Sequence, residues 1–244
     1  MCLIVLASNA HPRYPLIVAA NRDEFLERPT LPAHFWSDAP DILAGKDLRA
    51  GGTWLGVTKA GRFAALTNHR DLRKAAVNGR SRGGLVREAL DHDPAEVAMN
   101  EFDGFNLIYG PVDALRYRNN IDGTDTALSS GIHGLSNHLL NTPWPKVVRA
   151  REEFARVISA DEPLLEGLFT LLRDPVRASD AQLPDTGLDQ VRERALSSVF
   201  IATEGYGTRC STVVLVGGDG TVRFEERTYA PVGEVRQIFQ LERT

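Results

Sequence analysis

The sequence predicts an α+β fold built mainly from antiparallel sheets. Short runs of branched and apolar residues fill the first quarter of the chain, helical periodicity occupies the middle, and strand-like runs return at the end. The connections are short, and strands do not alternate with helices as they do in a parallel doubly wound sheet. The 244 residues contain no internal repeat or linker-like run, so we expect a single domain over residues 1–244.

Two strand pairs are predicted in the first quarter of the chain. Leu3–Ala7 and Leu16–Ala20 are apolar runs separated by a short segment that contains two prolines, which is typical of a turn. Residues 53–58 and 62–67 flank Lys59-Ala60-Gly61, a sequence that favours a hairpin. We therefore expect both pairs to be antiparallel.

The middle of the chain favours helices, and its end favours another hairpin. Trp144–Ser159 has the clearest amphipathic pattern, because its apolar residues recur every three or four positions. Weaker helical patterns cover residues 81–90, 94–99, 163–172 and 188–197. Strand-like runs cover residues 105–109, 115–118 and 131–135, and the runs 210–216 and 222–229 flank a glycine-rich turn.

Charge and composition exclude several classes of function. The formal net charge of −4 argues against nucleic acid as a partner, because such binding needs a basic surface. The longest apolar run, Cys2–Ala7, is far shorter than a transmembrane segment, and no secretory signal precedes it. The chain has only two cysteines, and its histidines and cysteines do not have a spacing typical of metal ligands. We therefore expect no disulfide framework and no metal site. We expect a soluble, cytoplasmic protein, and the sequence indicates no oligomeric state.

Cys2 is the first candidate for chemistry. Removal of Met1 would leave this residue with both a thiol and a free α-amine. The ordinary pKa of the α-amine is about 8 and that of the thiol about 8.5, so one residue could supply a nucleophile and its base. The alternative is that Cys2 is a small residue of the core.

A polar cluster, Asn21-Arg22-Asp23-Glu24, follows the second apolar run. It is either a solvated turn or a group that orients a nucleophile. In the second case Asp23 could hold the ammonium of Cys2, and Arg22 could favour its thiolate.

Other polar side chains lie at further strand ends. Asn68 could donate its amide to a developing oxyanion, and Asn137 is available for the same role. Arg209 opens the last hairpin and could place a second cation near the thiolate. Each segment, taken singly, is more often a turn than a site.

Together these segments resemble one known family. The Met1-Cys2 opening and the sequences Asn21-Arg22-Asp23-Glu24, Gly51-Gly52-Thr53-Trp54-Leu55-Gly56, Thr67-Asn68 and Gly207-Thr208-Arg209 are similar to those of the NRDE family, also called the transport-and-Golgi-organisation family. The resemblance runs from Met1 to about Val232. It implies an N-terminal-nucleophile-hydrolase-like fold, an αββα sandwich of two stacked antiparallel sheets flanked by helices.

The resemblance also implies a set of catalytic residues. Choloylglycine hydrolases and penicillin V acylases are distant relatives of this architecture and cleave amides with an N-terminal cysteine. Their pattern corresponds in order to Cys2, Arg22, Asp23, Asn68, Asn137 and Arg209. The close spacing of Arg22 and Asp23 departs from those hydrolases.

Two functions of different classes follow. The first is an N-terminal-cysteine amidohydrolase that acts on a small amide, requires no cofactor and requires the loss of Met1. The second, implied by the resemblance, is a binding or trafficking protein for haem or for acyl-CoA and lipid, in which arginines of the same cleft meet carboxylates or phosphates. Haem would then be a carried ligand, with an axial ligand from a histidine or a cysteine thiolate. His69 and His138 are the histidines nearest the expected cleft, although a lone histidine is more often a surface or structural residue. Candidate ligand-binding residues are Asn21, Glu24, Trp54, His69 and His138.

Overall fold

The structure is a computed structural model that describes residues 2–77, 79–94, 99–160 and 164–242. In chain order, the strands are β1 (Cys2–Ser8), β2 (Leu16–Phe25), β3 (Thr30–Trp36), β4 (Ala39–Asp47), β5 (Leu55–Thr58), β6 (Arg62–Asn68), β7 (Phe105–Pro111), β8 (Arg116–Asn119), β9 (Asp125–Ala127), β10 (Gly131–Leu135), β11 (Tyr206–Val216), β12 (Thr221–Tyr229) and β13 (Val232–Gln240). The helices are α1 (Arg82–Asp91), α2 (Pro145–Ile158), α3 (Leu164–Leu172) and α4 (Gln190–Ala195), with 3₁₀ turns at Met99–Glu101 and Asp180–Gln182.

The strands form two antiparallel sheets that stack face to face. One sheet has six strands in the order β10-β1-β2-β11-β12-β13, and the other has seven in the order β3 to β9. Apolar side chains such as Ile4 and Phe63 fill the space between the sheets. The outer face of the six-stranded sheet packs through Leu3 against Phe154 of α2, and α1 covers the outer face of the other sheet through Leu85. This arrangement confirms the predicted αββα sandwich.

The predicted hairpins and main helices are present. β5 pairs with β6, β1 with β2, and β11 with β12, all antiparallel. The helical patterns at residues 81–90, 144–159, 163–172 and 188–197 correspond to α1 to α4. Of the helix predicted at residues 94–99, positions 95–98 lie outside the described residues, and a 3₁₀ turn begins at Met99.

Four strands were not predicted from the sequence. Pro32 in β3 and Pro40 in β4 weaken the strand pattern in the sequence. Proline cannot donate a backbone hydrogen bond and therefore occurs mainly at the edges of sheets. In agreement with this, β3 is an edge strand and β4 lies next to it. β9 is a three-residue edge strand whose side chains are all exposed. β13 is also an edge strand, and its side chains are all exposed or half-buried, so burial leaves little apolar pattern in its sequence.

The interpretation of residues 21–24 as a turn is wrong, because β2 continues through them to Phe25. β11 pairs with β2 along its whole length. Asn21 faces the helices, and its amide donates to the carbonyl oxygens of Leu172 and Val199 at 2.8 and 2.9 Å. A buried polar side chain is tolerated inside a central strand when loop carbonyls satisfy it in this way.

The glycines before β5 allow a close approach between two backbones. The sequence left open whether Gly51 and Gly52 form a kink or admit a ligand. A Cβ at Gly52 would lie 2.3 Å from the carbonyl carbon of Gly83, at the start of α1. Gly51 has a φ of +74°, a conformation that favours glycine. Gly52 therefore lets α1 pack directly on this loop.

We predict opposite effects for alanine at two neighbouring glycines. Gly52→Ala should lower the free energy of unfolding by about 1–3 kcal/mol, because its Cβ cannot avoid the Gly83 backbone. Gly84→Ala is the control: a Cβ there meets no atom within 4 Å, and alanine in a helix should raise the stability by about 0.5–1 kcal/mol. Urea denaturation followed by circular dichroism measures both. A Gly52→Ala protein as stable as the unsubstituted one would contradict this packing.

Candidate active site

Strand register places Cys2 between the two sheets. Cys2 lies directly opposite Arg22 on β2, and Arg22 lies directly opposite Cys210 on β11. Directly opposed residues of antiparallel strands share one face of a sheet. Ile4 and Ala20, the next pair on that face, belong to the core between the sheets. The three side chains therefore form a cross-strand row at the end of this core.

Beyond this row the space between the sheets opens into a cavity of about 650 Å³. The N-terminal end of α1 and the loop between β4 and β5 form its opposite wall. This volume lies within the range of small-molecule binding sites. Of the predicted site residues, the following line the cavity: Cys2, Arg22, Asp23, Glu24, Trp54, Asn68 and Arg209. Asn21, His69, Asn137 and His138 do not.

The Cys2 thiol is buried, and its surroundings oppose the thiolate. Burial raises the pKa of the Cys2 thiol, and the Asp23 carboxylate acts in the same direction. The Arg22 guanidinium and the Asp23 backbone amide lower this pKa, as the sequence predicted for Arg22, but burial outweighs them. The site therefore keeps Cys2 as a neutral thiol, which needs a base when it attacks. Met1, on whose loss a free α-amine depends, lies outside the described residues.

Hydrogen bonds fix the position of Cys2 relative to Asn68. Ser136 Oγ, just after β10, donates to the Cys2 carbonyl oxygen at 3.0 Å, and Thr67 Oγ1 donates to the Ser136 carbonyl oxygen at 2.5 Å. Asn137 Nδ2 donates to the Asn68 carbonyl oxygen at 3.1 Å. The end of β6 is thus joined to the start of β1 through the loop that follows β10.

The two asparagines have different environments. The Asn68 side chain lines the cavity and makes no hydrogen bond with the described residues, so its amide is available to a ligand. Asn137 is buried, and its amide nitrogen already binds the Asn68 carbonyl oxygen. The structure therefore presents Asn68 to the cavity and places Asn137 behind it.

Asp23 lies at the end of the site nearest the helices. It is buried, and Thr208 Oγ1 donates to its Oδ1 at 2.7 Å. Burial raises the pKa of the Asp23 carboxyl, while the positive charge of Lys146 and the Thr208 hydrogen bond lower it. Thr208 stands directly opposite Asp23 on β11, immediately before the β-bulge that contains Arg209.

Arg22 and Arg28 share one carboxylate at the rim. Arg22 Nη2 and Arg28 Nε lie 3.2 and 2.5 Å from Asp47 Oδ2, and Arg28 also lies 3.7 Å from Glu24. The hydrogen bond from Arg28 to Asp47 raises the pKa of the guanidinium, so Arg28 stays charged throughout the ordinary pH range. These contacts fix Arg22 beside Cys2.

Arg209 is held by neutral groups. Its Nη1 donates to the carbonyl oxygens of Phe25, Leu26 and Arg28 at 3.1, 2.6 and 2.8 Å, and its Nη2 donates to Thr30 Oγ1 and to the Ala230 carbonyl oxygen. These bonds tie the loop after β2 to the turn before β13. A role for Arg209 as a second cation near the thiolate stays a prediction.

The two candidate histidines lie against each other outside the cavity lining, with their ring planes tilted by 46°. The rings of His69 and His138 lie 5.0 Å apart, and His138 Nδ1 lies 3.0 Å from Thr142 Oγ1. Burial lowers the pKa of both imidazoles, which favours their neutral forms. The His69 Nε2 atom is buried and has no hydrogen-bond partner among the described residues.

Several charged residues near the site were missed or not assigned from the sequence, Arg28 and Asp47 of the rim among them. Arg82, at the first turn of α1, and Glu226, on β12, line the cavity. The alternation of β12 could have revealed Glu226, because Val222, Phe224 and Glu226 share a face. Lys146 lies in the first turn of α2 and is buried near Asp23, but no pattern in the sequence distinguishes it from an exposed lysine.

The fold is that of a known class of hydrolase structures. The chain is similar to an N-acylethanolamine-hydrolysing acid amidase orthologue from Caenorhabditis elegans, with a TM-score of 0.53, 11% identity, and coverage of 88% of this chain and 92% of that one. It is also similar to the C2A mutant of the conjugated bile acid hydrolase from Clostridium perfringens, with a TM-score of 0.54, 8% identity, and coverage of 100% and 97%. At these identities the likeness establishes an N-terminal-nucleophile-hydrolase-like fold.

The chain belongs to the Transport and Golgi organisation 2 family, whose sequence model matches residues 1–231. Homologues of that name from Mus musculus and Homo sapiens are each 35% identical over 93% of this chain and 93% of their own length. The Drosophila melanogaster protein is 30% identical over 93% and 92%. These matches confirm the family that the motifs indicated.

Two properties of the described residues bear on the class of site. None of their helices is both long enough and apolar enough to cross a membrane. Within the same part of the chain, no group of three or more histidine, cysteine, aspartate or glutamate side chains is arranged to hold a metal ion.

We predict that the two cysteines react with iodoacetamide in a fixed order. Because burial raises the pKa of Cys2 and raises that of Cys210 further, alkylation of Cys2 should be faster and should still be rising above pH 8. Arg22→Met should slow Cys2 alkylation several-fold at pH 8, since it removes a charge that favours the thiolate. Peptide mass spectrometry quantifies both thiols.

The matched control is Arg62→Met, which removes a half-buried arginine paired with Asp93 away from the cavity. A Cys2 rate that levels off below pH 8, or a Cys210 that reacts first, would contradict this description of the site.

Proposed function

We propose that this protein is an N-terminal-cysteine amidohydrolase that acts on a small amide in the cavity between the sheets. The observation that carries the proposal is that Cys2, Asp23 and Asn68 line the same cavity, with the backbones of Cys2 and Asn68 joined through hydrogen bonds of the loop after β10. The shared fold with two amide-hydrolysing enzymes supports the same class of reaction.

The proposed reaction uses one residue as nucleophile and base. After loss of Met1, the neutral Cys2 α-amine takes the thiol proton as the sulfur attacks the carbonyl carbon. Asn68 donates a hydrogen bond to the oxyanion, and Asp23 holds the amino group in place. The ammonium then gives its proton to the leaving nitrogen as the C–N bond breaks, which leaves a thioester on Cys2. A water molecule, deprotonated by the same amine, hydrolyses the thioester and restores the thiol.

A second candidate is carriage of an anionic amphiphile such as acyl-CoA or haem without hydrolysis. The observation that favours it is a set of positive charges without carboxylate partners. Among the described residues, Arg49 makes no ion pair, Arg82 binds the Gly104 carbonyl oxygen at 3.1 Å, and Arg209 binds neutral acceptors. An anionic carboxylate or phosphate would balance these charges. For haem, the candidate axial ligands among the cavity-lining residues are the thiolates of Cys2 and Cys210.

The two candidates differ in what they require of residue 2. We expect the intact mass of the cytosolically produced protein to show that Met1 is absent, and Cys2→Ala to abolish release of amine from N-acyl amides. Cys210→Ala, which removes the other thiol of the cross-strand row, should retain most activity. Retention of Met1 would contradict hydrolysis, because the nitrogen of Cys2 would then be an amide. Binding of acyl-CoA by such a protein, without turnover, would favour carriage.

We predict a kinetic difference between the two asparagines. Asn68→Ala should lower kcat by about 10²–10³-fold with little change in KM, because its amide binds the oxyanion formed only in the transition state. Asn137→Ala should act indirectly, by loosening the Asn68 backbone, and should lower thermal stability as well as activity. Steady-state kinetics and thermal denaturation separate the two effects. An Asn68→Ala enzyme with unchanged kcat would remove Asn68 from the mechanism.

A further inference from the structure

A buried lysine lies on the helix side of the Cys2 site. Lys146 is the second residue of α2, only 3% of its surface is exposed, and its Nζ donates to the Leu196 carbonyl oxygen at 3.2 Å. It makes no ion pair with any described residue. A buried ammonium costs free energy unless a nearby negative charge offsets it, so we expect a compensating carboxylate near Lys146.

Titratable groups from four parts of the fold face Lys146: the carboxyl of Asp23 from β2, the thiol of Cys2 from β1, Arg70 from the segment after β6, and Glu193 from α4. Arg70 and Glu193 compensate each other, because Arg70 Nη2 lies 2.7 Å from Glu193 Oε2 and both side chains are buried. Asp23 is therefore the carboxylate that offsets Lys146. Among charged groups it is the one that most strongly raises the pKa of this lysine, which burial lowers to about 8.

Lys146 and Asp23 influence each other's pKa. Burial raises the pKa of Asp23, and the positive charge of Lys146 is the largest influence that opposes this rise. A hydrogen bond from Thr208 Oγ1 holds one oxygen of the same carboxylate at 2.7 Å. Thr208, on β11, thus binds Asp23 directly, whereas Lys146, on α2, acts on Asp23 through its charge.

We propose that Lys146 is a positioning residue of the Cys2 site, whose ammonium keeps the buried Asp23 side chain ionised and in place. In the amidohydrolase proposed above, on which this part rests, Asp23 holds the Cys2 amine. A nearby cation weakens the hold of Asp23 on the protonated amine, and so favours the neutral amine that the reaction needs. The coupling between Lys146 and Asp23 does not itself depend on hydrolysis.

A purely structural role is the alternative. Leu196 is the C-cap of α4, and a lysine that binds a carbonyl at a helix C-terminus stabilises the helix. Both roles predict that loss of Lys146 destabilises the protein. They differ in their effect on Asp23, and the test therefore measures the titration of Asp23.

The experiment compares unsubstituted protein, Lys146→Met and Lys146→Arg, each labelled with ¹³C at the aspartate carboxyl carbons, by NMR titration. Asp23→Asn assigns the Asp23 signal. We expect Lys146→Met to raise the Asp23 midpoint by about half a pH unit or more, and Lys146→Arg to restore it, because the charge is retained. Loss of a purely structural lysine would admit water and lower the midpoint towards its ordinary value. A lowered or unchanged midpoint would overturn the proposal.

A second measurement avoids the Lys146→Met variant, should it fail to fold. The chain has four lysines, so the ¹³Cε signal of Lys146 can be followed in ¹³C-lysine protein and assigned with Lys146→Arg. Asp23→Asn should move the Lys146 midpoint further below its unsubstituted value, near 8. Asp185→Asn, which removes an exposed carboxylate paired with Arg73, should leave it unchanged. A Lys146 midpoint that stays constant or rises in Asp23→Asn would refute the coupling.

These readouts are independent of turnover. A protein that retains Met1 and hydrolyses nothing, yet shows the expected shifts, would refute the amidohydrolase and leave the coupling standing. A protein that hydrolyses amides but shows no shift of either midpoint would support the amidohydrolase and refute the coupling.

Discussion

The register of β1 on β2 is the constraint on which the candidate site depends. It sets Cys2 opposite Arg22 and alternates the residues of β1 between the core and the helices. A slip of one residue would turn Cys2 towards the helices and bury Leu3 in the cavity wall. The alternation is secured by apolar side chains on both faces of β1, all of them buried. The core that stabilises the sandwich therefore also fixes the direction of the Cys2 thiol.

The site is embedded in a polar shell that connects three layers of the fold. Ser136 and Asn137 join the start of β1 to the end of β6, so the two sheets cannot move apart at this point without breaking buried hydrogen bonds. On the other side, Asp23 and Lys146 join the six-stranded sheet to α2 through charge. A rigid, desolvated setting of this kind suits a neutral nucleophile whose charge develops only during reaction.

Burial and charge act against each other throughout the cavity. Burial raises the pKa values of Cys2, Cys210, Asp23 and Glu226, which disfavours their anionic forms. The arginines of the rim act in the opposite direction, and some of them have no carboxylate partner within the described residues. We therefore propose an anionic group on the ligand in both of the functions considered above.

Much of this site could be predicted from the sequence, and the remainder depends on tertiary structure. Cys2 was found from its position next to Met1, and Arg22, Asp23 and Asn68 were found because polar residues follow apolar strands at their ends. Asn21 was misassigned to the ligand site, since alternation along β2 turns it towards the helices once residues 21–24 are recognised as strand. His69 and His138 follow Asn68 and Asn137 in sequence, but neither histidine lines the cavity.

Lys146 could not have been found from sequence, because its burial depends on how α2 packs in the fold, where Asp23 lies more than a hundred positions earlier in the chain and Leu196 fifty later.

The central claim is that Cys2 is the nucleophile, and trapping its acyl intermediate tests this most directly. The protein would be incubated with an anionic N-acyl amide, quenched in acid, digested, and examined by mass spectrometry of the N-terminal peptide. We predict a peptide that begins at Cys2, without Met1, and carries the acyl group as a thioester that hydroxylamine removes. An N-terminal peptide that retains Met1, or an acyl group found elsewhere in the chain, would contradict it.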